Sequence, residues 1–151
     1  MDLELVKQSF PQAVPMVGTL QLRFDDLQLQ RAVMTLPDQA AYHNHVGGPH
    51  AGAMFTLAES ASGALVFAAF GDRLADATPL AVESTIKYRK LAMGDVTATA
   101  VMSRTRDDIL AELDAGVRPE FTVDVEIATQ DGTVTGEMSI VWTLKPNKKK
   151  S

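Results

Sequence analysis

Residues 43–60 read HNHVGGPHAGAMFTLAES, a polar, glycine-containing loop that runs straight into an apolar stretch whose only carboxylate is Glu59. A carboxylate inside an apolar helix is disfavoured by desolvation unless it is paired or kept for chemistry. The nearest cation in sequence is Arg73, beyond the next helical turn. The residues alone leave two readings: a general base or nucleophile, or a structural carboxylate bonded to a backbone group or to a cation from elsewhere in the fold. The loop before it leads into a helix start, where free backbone N–H groups and the positive end of the helix dipole can hold an anion or an oxyanion. A plain Gly-Gly-Pro turn is the alternative there. His43, His45 and His50 invite a metal reading, but alternate positions of a glycine-containing loop are not a recognised zinc spacing, so no metal is expected. The Gly-Lys-Ser/Thr ending of a phosphate loop and the Gly-x-Ser-x-Gly elbow of serine hydrolases are both absent.

These side chains need elements to hold them. Residues 49–70 are too long for a strand and carry proline only at the start, which predicts a helix. At 100° per residue Met54, Leu57, Ala61, Ala64, Leu65 and Ala68 form one apolar face, and Gly52, Phe55, Thr56, Glu59, Ser62, Gly63, Val66 and Phe70 the other. Neither face carries the charge of a solvated surface, so the helix is expected to be surrounded by protein. From Leu80 the pattern changes to alternation: Val82, Ser84, Ile86 and Tyr88 against Glu83, Thr85, Lys87 and Arg89. The same period returns in Val96, Ala98, Ala100 and Met102, in Phe121, Val123, Val125 and Ile127, and in Val134, Met138, Ile140, Trp142 and Leu144. Four such runs predict an antiparallel sheet with one buried face. Asp131-Gly132 predicts a hairpin turn between the last two. Residues 19–24 and 30–36 read as an earlier hairpin, and 106–119 as an exposed loop with one helical turn.

The chain has 151 residues, 46% hydrophobic and 22% charged, which suits a single folded domain. A formal net charge of −5 opposes nucleic-acid binding. The one basic block is the terminal KPNKKKS, expected to form a flexible tail over 145–151. With no cysteine, disulfides, thiolate ligands and a cysteine nucleophile are excluded. No signal peptide and no membrane span are expected, so the predicted location is cytoplasmic with no membrane partner.

Residues 44–59, NHVGGPHAGAMFTLAE, resemble the signature of PaaI-type hotdog-fold acyl-CoA thioesterases, in which Asn, Gly and a His-Gly-Gly lead into the central helix and an acidic residue follows Leu-Ala. YRKLAMGDVTATA, residues 88–100, is similar to that family's strand ending before Gly-Asp. Three positions depart from the pattern: Ala51 replaces a glycine, Glu59 stands where Asp is usual, and Lys90 where proline is common. The resemblance implies an α+β hotdog fold over about 15–145, a long central helix wrapped by an antiparallel sheet. It implies hydrolysis of an acyl-CoA-type thioester without a cofactor, with Glu59 as general base or nucleophile. The N–H of Gly52 or its neighbour would polarise the carbonyl, Asn44 would orient water or the carbonyl, and His50 would assist. Gly47, Phe55, Thr56, Ser62 and Gly63 would line the substrate, with Arg89 and Lys90 meeting CoA phosphates.

Seven residues of helix separate Gly52 from Glu59, a rise of about 10 Å. One helix cannot easily bring both to one carbonyl, so a site shared in a homodimer is expected, and the resemblance adds dimers of dimers. Two alternatives stand beside this reading. Ala51 and the inserted segment 109–117 are compatible with a non-catalytic acyl-binding hotdog domain. Hotdog dehydratases also place a carboxylate on the central helix, but about five residues after the loop glycine, whereas Glu59 is seven after Gly52.

Overall fold

Helix α3, Ala51–Phe70, forms where the apolar run predicts it, and fourteen of its twenty residues are buried, which makes it the axis of the core. In this computed structural model, which describes residues 1–148, a six-stranded antiparallel sheet wraps around that axis. The strands are β1 (Arg23–Leu27), β2 (Arg31–Leu36), β3 (Ala77–Tyr88), β4 (Val96–Met102), β5 (Glu120–Thr129) and β6 (Val134–Pro146). Their order across the sheet is β1-β2-β4-β5-β6-β3, so β1 and β3 are the free edges. The α+β hotdog architecture expected from the resemblance is the one observed.

Period-two patterning determines which side chains face the helix. Val96, Ala98, Ala100 and Met102 of β4 and Phe121, Val123, Val125 and Ile127 of β5 are all buried. Met138, Ile140, Trp142 and Leu144 extend that layer on β6. Opposite them, Ala58, Ala61, Ala64 and Ala68 of α3 are buried and small, which lets the sheet backbone come close. The β5–β6 turn forms at Asp131-Gly132, where the Asp131 carboxylate accepts from the Thr129 hydroxyl at 2.7 Å and the Thr133 N–H at 3.0 Å. These bonds hold the Asp131 carboxyl below the usual carboxylate range.

Several expectations need correction. The strand expected at 19–24 starts only at Arg23, because Pro15–Thr19 forms a short helix, α2, with proline at its first turn. Ahead of it, Asp2 caps a further helix, α1 (Leu3–Ala13), whose Phe10 lies in the core, so the core starts before residue 15. Segment 106–119 is not an exposed loop: α4 (Arg106–Asp114) is capped by the Thr105 hydroxyl and buries Ile109 completely. Its polar composition hid two inward-facing residues, Ile109 and Leu110. At the C-terminus, residues 145–147 are not a loose tail. Lys145 and Pro146 continue β6, and Asn147 bonds Thr78, Leu74 and Ala75. Residues 149–151 of the expected tail lie outside the described residues. Within residues 51–73 an 18-residue window has a mean hydropathy of 1.5, enough in length and composition for a membrane span, although none was expected; 72% of that window is buried inside the protein.

Strand β3 departs most from its pattern. Val82 and Tyr88, on the side expected to be buried, are 51% and 47% exposed, and Leu80 is 40% exposed. The helix lies over β2, β4 and β5, and β3 at the sheet's edge extends beyond its cover.

Candidate active site

The loop before α3 is braced from within. The Asn44 carboxamide oxygen accepts the N–H groups of Val46 (3.0 Å) and Gly48 (3.2 Å), and its nitrogen donates to the Pro49 carbonyl at 3.3 Å. Asn44 thus braces the loop, and one of its two carboxamide N–H groups has no protein partner among the described residues. Gly47 takes φ +79°, a conformation that side chains disfavour, and so serves the turn. A Cβ on Gly48 would lie 2.2 Å from the Ala92 carbonyl oxygen, so only glycine lets segment 91–93 close over the loop. At the helix start, Nδ1 of His50 accepts the Gly52 N–H at 2.8 Å, leaving the ring proton on Nε2. Gly52 is thus already bonded. Among the described residues, the first-turn N–H groups without a protein partner are those of Ala51 and Ala53, one on each side of the expected donor.

Glu59 sits two turns further along. The second helix face divides in two. Gly52, Phe55, Thr56 and Glu59 form an open strip, exposed at Gly52 and half-buried at the others, whereas Ser62, Gly63, Val66 and Phe70 are buried. Among the described residues the Glu59 carboxylate has no ion pair and no hydrogen bond, so the cation-paired reading finds no support. Burial raises its pKa above the ordinary 4.5. Thr56 turns its hydroxyl back onto the Gly52 carbonyl at 3.0 Å. Ser62 and Gly63, expected at the substrate, instead seat the helix on the sheet. The Ser62 hydroxyl donates to the Glu59 carbonyl at 2.7 Å and accepts from Trp142 Nε1 at 3.2 Å, and Gly63 lies beneath Trp142 and Phe10.

Arg89 and Lys90 follow β3 and bring two cations to the helix start. A cleft of about 360 Å³ there is lined by Asn44, Ala51, Met54, Tyr88, Arg89 and Lys90 among others. Arg89 is paired with Glu137 at 2.9 Å, while Lys90 has no ion pair among the described residues. Tyr88 was missing from the sequence-based site. Its hydroxyl donates to the Ala51 carbonyl at 2.8 Å and ties the strand end to the first residue of the helix. Strand alternation placed Tyr88 on a face but could not reveal what that face meets. A larger hollow, about 850 Å³, crosses the outer sheet face; it shares Arg89 with the cleft but includes neither Glu59 nor the loop. His43 bonds Asp38 at 2.6 Å, and His50 caps α3. Within the chain, then, the loop, helix start, Tyr88 and the two cations converge, and Glu59 stands apart on the strip.

No protein of curated function matches the chain by sequence. Among solved structures, a Pseudomonas aeruginosa protein of unknown function described as a probable thioesterase superposes with a TM-score of 0.85 at 27% identity, covering 97% of each chain. A second P. aeruginosa protein, a thioesterase solved as a mutant, gives 0.77 at 20% identity and covers 97% of this chain and 96% of its own. The E. coli PaaI protein, from the phenylacetic acid degradation operon, gives 0.75 at 16% identity over 94% of this chain and 92% of its own. The fold is therefore the one seen in hotdog thioesterases. A family model described as a domain of unknown function matches residues 3–144, and the chain belongs to that family, DUF4442, with the hotdog fold of the PaaI-type thioesterases.

Proposed function

We propose that this protein is a hydrolase of acyl-CoA-type thioesters that works as a homodimer, with Glu59 as the group that activates water or attacks the carbonyl. The observation that carries this reading is a half-buried carboxylate with no cation beside it among the described residues, raised in pKa by burial, on an open strip of a mostly buried helix. Such a group is a better base than an exposed carboxylate and sits where substrate has access. In the base route, ionised Glu59 takes a proton from water as its oxygen attacks the thioester carbon. The oxyanion is stabilised by N–H groups at a helix start, with Ala53 and Ala51 the free donors there and Gly52 available only if His50 releases it. Collapse breaks the C–S bond, and the departing thiolate takes the proton back from Glu59. In the nucleophilic route the carboxylate forms an acyl anhydride with the substrate acyl group, thiolate leaves, and water hydrolyses the anhydride.

The helix rise between Gly52 and Glu59 supports a site in which one subunit supplies the carboxylate and the other the helix start. Lys90, unpaired, is suited to a CoA phosphate; Arg89 contributes its charge while bound to Glu137. The expected location is the cytoplasm, where acyl-CoA occurs. The test is thiol release from a panel of aliphatic and aromatic acyl-CoAs. Release that depends on Glu59 supports the proposal, and tight binding of acyl-CoA with no release by any member would favour the acyl-binding alternative.

A further inference from the structure

Towards the helix C-terminus the Glu59 strip is interrupted at buried Gly63, and the next residue in line, Phe67, is half-buried. One turn beyond Glu59 lies Gly63, and i,i+4 positions on a helix are about 5–6 Å apart at Cβ. The edge of the Phe10 ring lies 3.7 Å from where a Gly63 Cβ would be. Phe10 is 3% exposed and meets Phe24 of β1 and Phe67 of α3 edge to face, each with centroids 5.8 Å apart. Phe10 therefore belongs to a three-ring plug fastened to helix and sheet together. Helix α1 delivers it: Asp2 caps the helix, and Leu3 and Val6 pack on the core beside it. The Cα–Cβ bond of a helical residue such as Glu59 tilts the other way, towards the helix N-terminus.

We propose that Phe10 sets the acyl-length limit of the Glu59 site, so that the preferred substrates carry short or compact acyl groups. The proposal rests on the thioester reading above. Whichever subunit supplies the carbonyl-polarising N–H groups, the C-terminal side of this carboxylate is closed by its own chain's α1. An acyl tail directed that way has little more than one helical turn before it meets an aromatic edge. Phe10 is here a specificity-determining residue that takes no part in bond making.

Binding tests the limit apart from hydrolysis. Isothermal titration with non-hydrolysable ethyl, hexyl and dodecyl thioethers of CoA is expected to show the dodecyl ligand bound more weakly than the shorter ones by the wild-type protein. Phe10→Ala should improve dodecyl affinity by at least about tenfold, the effect of burying roughly two further methylenes, and leave ethyl affinity unchanged. Phe10→Leu, which trims the ring while keeping α1 seated, should move the same ratio in the same direction and decides the matter if the alanine variant unfolds. A wild-type preference for dodecyl, no binding of any thioether, or a ligand ladder unchanged by both variants would overturn the limit. Thiol release from acetyl-, hexanoyl- and lauroyl-CoA on the same preparations separates the two claims. A shifted binding ladder without release sinks hydrolysis and upholds the limit; release with an unshifted ladder does the reverse.

Discussion

Glu59 is where chemistry and stability pull in opposite directions. Its folded-state pKa lies above the ordinary 4.5 because burial disfavours the charge. Between those two values the folded chain holds a proton that the unfolded chain has lost, so stability falls as pH rises through that window, and above it the ionised carboxylate is a net cost. Glu59→Gln keeps the shape and removes the charge. Turnover should fall by at least ~100-fold, while the melting temperature at neutral pH should equal or exceed that of the wild type, the difference shrinking as pH falls through that window and levelling off below the ordinary carboxylate value. Thermal unfolding and kinetics on one preparation check both halves. A variant that unfolds would identify a structural carboxylate, and one with wild-type turnover would remove Glu59 from the mechanism.

Helix α4 shows how a short element can matter more than its composition suggests. Its Ile109 is fully buried, so Ile109→Ala should lower the unfolding free energy by about 2–4 kcal/mol in urea titrations, through lost burial and the cavity left behind. A change below about 0.5 kcal/mol would mean that α4 is as dispensable as a surface loop. The element was illegible beforehand for a physical reason. Asp107, Asp108 and Glu112 dominate its composition, and two inward residues in nine make a weak periodic signal. The long central helix and strands β4, β5 and β6 were legible because each sustains its period over many residues against a continuous core. The loop was legible as a helix entrance, but not the roles within it. That Asn44 braces its own turn, that His50 takes the Gly52 N–H, and that Tyr88 reaches Ala51 all depend on tertiary placement. Helix phase puts Ser62 and Gly63 on the Glu59 face, but phase cannot say that Trp142 and α1 already cover them.

At the scale of the molecule, the unfinished part is β3. It is twelve residues long, free on one side, and exposes Leu80, Val82 and Tyr88. A surface of that kind is expected to be covered by a second copy. Light scattering at micromolar concentration should return a dimer, and Val82→Lys should shift it towards monomer with loss of thiol release and retention of the fold. A strictly monomeric wild-type protein that still hydrolysed thioesters would refute the shared site. The opposite edge is shorter and more densely charged, although β3 too has a register shift, between Ala81 and Glu83. Strand β1 has five residues and a bulge between Phe24 and Asp26, and it carries Arg23, Asp25 and Asp26. Asp25 is bonded to Thr35 and Asp26 to Arg31, so both carboxylates are drawn in towards β2. Two copies joined through β3 would bury their matching edges against each other and present β1 at both outer ends, where the short strand and its charges refuse another strand. Sheet growth would then terminate after one addition, and a chain with an open edge would assemble into a closed pair with no route to a fibre.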